Sequence, residues 1–407
     1  MNGSAKLLVS LVAALAIAAC NAGGSSSMPG IAGQSSAQRR SHSMPMWQAK
    51  GLAHAACPQI TGKPTCLVLI ESKGGINLTV AGWTPSDIQN RYNLPSSSKG
   101  SGQIVAIVDA YDNPNVASDL AAYRSEFDLG TAHFKKYNQE GKKRNYPSGN
   151  SMWGPEIDLD VEMVSATCPK CTIYLIEANG ADEIDLDTAE AEAVKLGAHI
   201  ISNSWICPGS NSCVDSSDFD TKGVVYLAAS GDSGYNENGN PESLPTVVSV
   251  GGTVLSGGPS GWSETVWEFA GGGCSSNGGS SGEPKPSWQH DPDCTYRTDA
   301  DVSAVAWNVA EYDTYGGEGG WVTVGGTSVA TPINAGVFGL AGNASSQDAA
   351  KKFWTLKEKS VRNELHYISS GADGSCGDAY LCTAGTKQFG DYSGPAGWGT
   401  PNGIKAY

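Results

Sequence analysis

Three short stretches of this chain carry residue types suited to nucleophilic and acid–base chemistry. In the first, Gly325-Gly-Thr-Ser328-Val-Ala-Thr-Pro332 runs straight into the nearly all-apolar residues 333–340. A helix apolar on every side must be buried. Ser328 therefore stands at the mouth of a buried helix, where free backbone N–H groups favour a developing anion. It is either a cap or a nucleophile, and the motif alone does not decide. A nucleophilic serine needs a base, normally histidine. None of the six (His42, His54, His133, His199, His290, His366) lies in a convincing motif. Carboxylates offer themselves instead, in Gly154-Pro-Glu156-Ile-Asp158-Leu-Asp160-Val-Glu162. Pro155 suits a first helical turn, and Glu156 and Asp160, four apart, share one face. Like charges stacked this way are unfavourable unless one is protonated. An acidic helix start would account for Glu156 alone and for Asp160 less well. The third stretch is Ala229-Ser-Gly-Asp232-Ser-Gly, directly after an apolar run, which puts Asp232 at a strand end.

The elements that must hold these residues show as apolar runs at 103–109, 172–176, 199–202, 223–229 and 246–250. Helical patterns fall between several of them, at 155–167 and 183–196. Buried strands alternating with helices predict an α/β fold, a parallel sheet covered on both faces. Ligands of such sheets bind beyond the carboxyl ends of the strands, which directs attention to Asp109, Trp205 and Asp232.

Together the three stretches resemble the sedolisins, the serine-carboxyl peptidases, over roughly residues 83–405. The resemblance implies a subtilisin-like three-layer fold and an exported, acid-acting endopeptidase working on protein or peptide substrates. By similarity, Ser328 would be the nucleophile, Glu156 its base, Asp160 the residue orienting that base, and Asp232 a lining of the oxyanion hole. Asp109 and Trp205, the latter in Ser-Asn-Ser-Trp, match positions that extend the hydrogen-bond network, and residues 297–306 match another family stretch. The family's calcium site is degraded here, with Tyr367 and Ser393 where two aspartates are usual and Asp391 as a substitute carboxylate. Calcium wants six to eight oxygens, several of them anionic, so no metal or other cofactor is expected. The reading from another class is a catalytically inactive scaffold serving as an envelope binding lipoprotein. A lipid esterase ranks below both.

Composition agrees with export. The 407 residues hold 26 Lys+Arg against 41 Asp+Glu, a net charge of −15, which excludes nucleic acid as a partner. Residues 1–19 read as a signal peptide ending in Ile-Ala-Ala before Cys20. Cys20 is then the candidate lipidated N-terminus and the sole membrane attachment. Residues 20–47 are a Ser/Gly-rich tether, 48–98 a short pro-segment-like region, and 99–407 the peptidase domain, with Ser96 to Gly102 as the boundary. Cleavage at that boundary would release the domain from its anchor to the exterior, and a monomer is expected. The ten remaining cysteines group by proximity: Cys57 with Cys66, Cys168 with Cys171, Cys207 with Cys213, Cys274 with Cys294, and Cys376 with Cys382. Disulfides suit an exported chain, although sequence does not fix connectivity. Cys168-Pro-Lys-Cys171 also reads as a zinc half-site or a redox motif.

Overall fold

A computed structural model describes residues 48, 50–72, 80–209, 212–275, 282–316, 319–346 and 348–407. The stretches read above as a signal peptide and a tether, with Cys20 between them, lie outside the described residues. The core sheet is built from the apolar runs: β4 (Ile104–Ala110), β6 (Thr172–Ala178), β7 (Ile200–Asn203), β9 (Val225–Ala229) and β11 (Val247–Gly258). Their order across the sheet is β11-β9-β7-β4-β6, every pairing parallel. Two edges depart from the sequence expectation. β5 (His133–Asn138) joins β6 in parallel, but its alternating exposed side chains leave no apolar run to read. β11 continues past residue 250 and turns back as β12 (Gly261–Val266), an antiparallel hairpin that makes the sheet mixed at that edge.

The helices are α1 (Pro85–Arg91), α2 (Val116–Glu126), α3 (Gly154–Thr167), α4 (Glu183–Lys195) and α5 (Thr327–Ala341), followed by the short α6 (Ala349–Thr355) and α7 (Glu358–Glu364) among the described residues. Thr84 caps α1 through a reciprocal box with Asp87, the local signal that starts a helix ahead of a proline. α4 packs on β4 and β6, while α5 packs on β7, β9, β11 and α3. Every residue of α3 is buried, as is all of α5 except its last. The two helices approach closely because Gly336 has no side chain: a Cβ there would sit 2.7 Å from the Thr167 Cβ. That contact sets the spacing between the helix bearing the carboxylates and the helix bearing Ser328.

Short strands complete the architecture: β1 (Ala53–Ala55), β2 (Thr65–Cys66), β3 (Leu69–Glu71), β8 (Trp205–Pro208), β10 (Gly239–Asn240), β13 (Gly273–Cys274), β14 (Thr298–Asp299), β15 (Val302–Val305), β16 (Val309–Asp313), β17 (Gly320–Gly325), β18 (Leu365–His366) and β19 (Thr400–Pro401). β15 adds to β11 in parallel. The N-terminal strands join two side sheets, in the orders β1-β3-β17-β16 and β10-β8-β2.

All five cysteine pairings read from proximity are formed as disulfides. Cys57 is bonded to Cys66, at the start of the β2 side sheet, and Cys168 to Cys171, just past the end of α3. Cys207 of β8 is bonded to Cys213, which ties the strand carrying Trp205 to the loop that follows it. Cys274 of β13 is bonded to Cys294. Cys376 is bonded to Cys382, closing a small C-terminal loop. Bonded to each other, Cys168 and Cys171 offer no thiolate for zinc.

Candidate active site

Glu156 lies in the first turn of α3 and Asp160 one turn on, and both are fully buried. Ser328 opens α5 just after Gly326, whose φ of 125° is a conformation suited to glycine. The Ser328 hydroxyl donates to the Ser204 carbonyl at 3.3 Å. It also contacts the Glu156 carboxyl. Glu156 Oε2 accepts the backbone N–H groups of Leu67 and Val68, each at 2.7 Å. Asp160 Oδ1 accepts the Ser204 hydroxyl at 2.6 Å.

Asp109, at the carboxyl end of β4, completes a trio of carboxyls. Neither of its oxygens has a hydrogen-bond partner, and burial pushes its pKa up to about 7. Burial also raises Glu156 well above the usual range, with the Asp109 charge adding to it, while Ser328 and the two N–H donors pull the other way. Asp160 is raised by burial, then by Asp109 and Glu156. Three carboxyls this close cannot all ionise, so they share protons.

Asp232 follows β9. Its Oδ1 accepts the Thr327 N–H at 2.8 Å and faces the Thr327 hydroxyl at 2.9 Å. Burial holds its pKa well above the ordinary carboxyl value despite those bonds. With Oδ1 committed as an acceptor, a protonated Asp232 carries its hydrogen on Oδ2. That oxygen faces Gly326 on the approach to Ser328. Trp205 is buried against Phe219, and its indole N–H donates to the Val108 carbonyl at 3.0 Å. It fixes β8 beside β4 and donates to none of the carboxyls.

The residues brought together are therefore Asp109, Glu156, Asp160, Asp232 and Ser328. Four further participants do not show in the sequence reading. Ser204 and Thr327 stand inside motifs it singles out, Ser-Asn-Ser-Trp and Gly-Gly-Thr-Ser. Leu67 and Val68 lie 89 and 88 residues from Glu156, and no local signal joins them to it. A second stripe on α3 escapes it as well. Asp158 accepts the Asn113 side-chain amide at 2.7 Å, and Glu162 accepts the Tyr312 N–H at 3.0 Å. Asp158 lies in a buried group with Asp119 and Asp313, whose carboxylates are also bonded to Thr314, Tyr315 and Gly316.

At the C-terminal positions read above for calcium, the substitute carboxylate is already engaged. Asp391, the remaining carboxylate, is paired with Arg362 at 2.7 Å and with Lys387, whose ammonium lies 3.6 Å from the Tyr367 ring centre. Two cations stand where a divalent ion would need anionic oxygens. Ser393 meets the Gly397 carbonyl through its backbone N–H. The stretch 297–306 instead supplies a buried ion pair between Arg297 and Asp301, at 2.7 Å.

The pattern that defines the subtilase family matches residues 131–372. Kumamolisin of Bacillus sp. (strain MN-32) is 28% identical over 288 residues, 62% of this chain and 51% of its own. Sedolisin of Pseudomonas sp. (strain 101) is 25% identical over 372 residues, 79% of this chain and 60% of its own. Tripeptidyl-peptidase 1 of Homo sapiens is 25% identical, covering 85% of this chain and 65% of its own. The chain thus spans between half and two thirds of the length of these relatives. Among solved structures, Pseudomonas sedolisin in complex with pseudo-iodotyrostatin superimposes with a TM-score of 0.63 at 25% identity, over 80% of this chain and 96% of the other.

Proposed function

This chain belongs to the subtilase family, on its sedolisin branch, and we propose that it is an acid-acting serine-carboxyl endopeptidase. The observation that carries the reading is the convergence of buried, proton-sharing carboxyls on Ser328, in the place a histidine would otherwise take. Glu156 removes the hydroxyl proton as Ser328 Oγ attacks a peptide carbonyl. Asp160, itself held by Ser204 and holding a shared proton, orients the Glu156 carboxylate at that moment. The oxygen of the tetrahedral intermediate receives hydrogen bonds from the Asp232 Oδ2–H and the Ser328 N–H at the α5 terminus. Glu156 then returns the proton to the departing amine, and water repeats the sequence to free Ser328. A preorganised donor of this kind lowers the barrier by about 3–4 kcal/mol. Because Asp232 donates only while protonated, activity falls as pH rises through its elevated pKa.

We further read the chain as exported through its N-terminal signal, with Cys20 as lipid anchor, 48–98 as a pro-segment and a monomeric body. Five disulfides support export. Among the described residues, no helix is long and apolar enough to cross a membrane. No calcium step enters, since Arg362 and Lys387 already neutralise Asp391. The test is digestion of an unfolded protein by the full chain from about pH 3 to pH 8, beside Ser328→Ala. Acid-favoured digestion lost in the variant is expected. A maximum above neutrality, or equal digestion by the variant, overturns the reading.

A further inference from the structure

Asp232 stands on a loop, residues 230–237, that leaves β9 and closes on one of its own side chains. Glu237 Oε2 accepts the Ser233 backbone N–H, and the same carboxyl receives the backbone N–H of Asp232 itself. The Ser233 hydroxyl and the Gln59 side-chain amide face it as well. The Glu237 N–H donates to the Gly234 carbonyl at 3.0 Å, which completes the turn. The carboxyl fills the space that a side chain on Gly231 would need: a Cβ there would lie 2.5 Å from Glu237 Oε2 and 2.8 Å from its Cδ. A second set of bonds ties the loop to the mouth of α5. The Gly231 N–H donates to the Thr327 hydroxyl at 3.2 Å, and Asp232 Oδ1 accepts the Thr327 N–H at 2.8 Å. Asp232 is thus anchored twice, through its side chain by Thr327 and through its backbone by Glu237. Two N–H groups converging on one carboxylate form charge-assisted bonds, and without Glu237 both lose their acceptor.

We propose that Glu237 is a positioning residue of the oxyanion site: it fixes the Asp232 backbone so that Oδ2–H meets the oxyanion, and its charge holds that hydrogen in place. The inference rests on the peptidase reading and adds to it a residue that acts through Asp232. Glu237 lies outside Ser-Gly-Asp-Ser-Gly, so the motif does not announce it. The electrostatics run the same way as the geometry. Burial raises the Asp232 pKa, and the Glu237 charge raises it further. Burial raises Glu237 too, but its bonds from Ser233, Asp232 and Gln59 pull it back. Glu237 therefore ionises first, and its charge then opposes ionisation of Asp232. Among the described residues, no cation figures in the electrostatics of either carboxyl. Of the other acids around the loop, Glu268 is paired with Lys50 at 2.7 Å, and Asp373 acts on Tyr235. Since Asp232 donates only while protonated, the pH at which turnover falls is set in part by Glu237.

The experiment measures kcat and KM of the full disulfide-bonded chain across the same pH range, on a fluorogenic peptide built around a bond that wild type cuts in the unfolded protein. Wild type, Glu237→Gln, Glu237→Asp, Asp232→Asn and the double variant Asp232→Asn with Glu237→Gln are compared, each checked for a monodisperse folded peak. Glu237→Gln keeps the size and one acceptor oxygen but loses the charge, so its alkaline limb is expected about one pH unit below that of wild type. Glu237→Asp keeps the charge on a shorter stem. Its limb stays at the wild-type pH, while kcat falls by about 10–10²-fold through misplacement of the donor and KM holds. In the Asp232→Asn background Glu237→Gln moves the limb no further, because the hydrogen it governs is gone. A Glu237→Gln limb at or above the wild-type pH overturns this inference, as does an equal shift in the Asp232→Asn background. Should Glu237→Gln fail to fold, Glu237→Asp decides alone: wild-type kcat or a displaced limb overturns the inference. Each of these results leaves the peptidase reading standing. A folded wild type that cuts nothing at any pH overturns both.

Discussion

Replacing Asp109 with asparagine keeps its shape and removes its titration, which isolates one proton of the shared set. Asp109 is fully buried, and its pKa rises from 3.8 to about 7. A group that binds its proton more tightly when folded makes the fold most stable where it is protonated, and loses that contribution as pH rises. The window runs from the unfolded value, near 4, to the folded value, near 7. About three pH units at ~1.4 kcal/mol each give a loss of about 4 kcal/mol across it. Glu156 and Asp160 share the same protons, so that figure is a ceiling. The assay is urea unfolding at about pH 4 and pH 7, with Ser328→Ala as the parent so that self-digestion does not interfere. The parent is expected to lose stability toward pH 7, and the Asp109→Asn form to lose less, by up to about 4 kcal/mol. Any fixed cost of burying the amide cancels, because it is present at both pH values. Identical pH dependence in the two proteins, or a parent that gains stability toward pH 7, would refute the reasoning.

Asp232→Asn retains a donor that never ionises, so its alkaline limb of activity should move to higher pH, while Asp232→Ala should lower kcat by about 10²–10³-fold in acid, the gap to wild type narrowing as pH rises through the Asp232 pKa; a pH–rate series on the three proteins checks both. Replacing Cys274 and Cys294 by serine opens a loop of sequence separation 20 and should cost about 3 kcal/mol of stability, read as a lower denaturation midpoint with an active-site pH profile unchanged in shape.

What can be read from the sequence follows from how far each signal reaches along the chain. β4, β6, β7 and β9 announce themselves because strands covered on both faces must be apolar throughout. β5 does not, since its outer side chains meet water. The carboxyl pair on α3 is legible from helical spacing, but the fate of Asp158 and Glu162 is not. A helix whose every residue is buried shows no polar face, so nothing local tells that its alternating acids face Asp313 and Tyr312. The disulfides are legible where partners stand close in sequence, as with Cys207 and Cys213 or Cys376 and Cys382, each six residues apart. Ser328, Glu156 and Asp232 show by local motif, and their roles come with the family resemblance. The link between β2 and β3 at Leu67 carries no local signal of its role, because its meeting with Glu156 is a contact between distant parts of the chain.

The seam at Gly336 has a consequence for how this protein tolerates change. Gly336 lies eight residues along α5 from Ser328, about 12 Å at the helical rise, and touches no reacting group. Yet it determines how near the nucleophile's helix comes to the base's helix, because Thr167 occupies the space a larger side chain would need. A methyl group added there wedges the two axles apart and lengthens the gap between Ser328 and Glu156. Turnover should therefore be tuned by a contact outside the cleft, with substrate affinity left largely alone. The interior of the molecule acts as a calliper, and its jaw is a residue with no side chain at all.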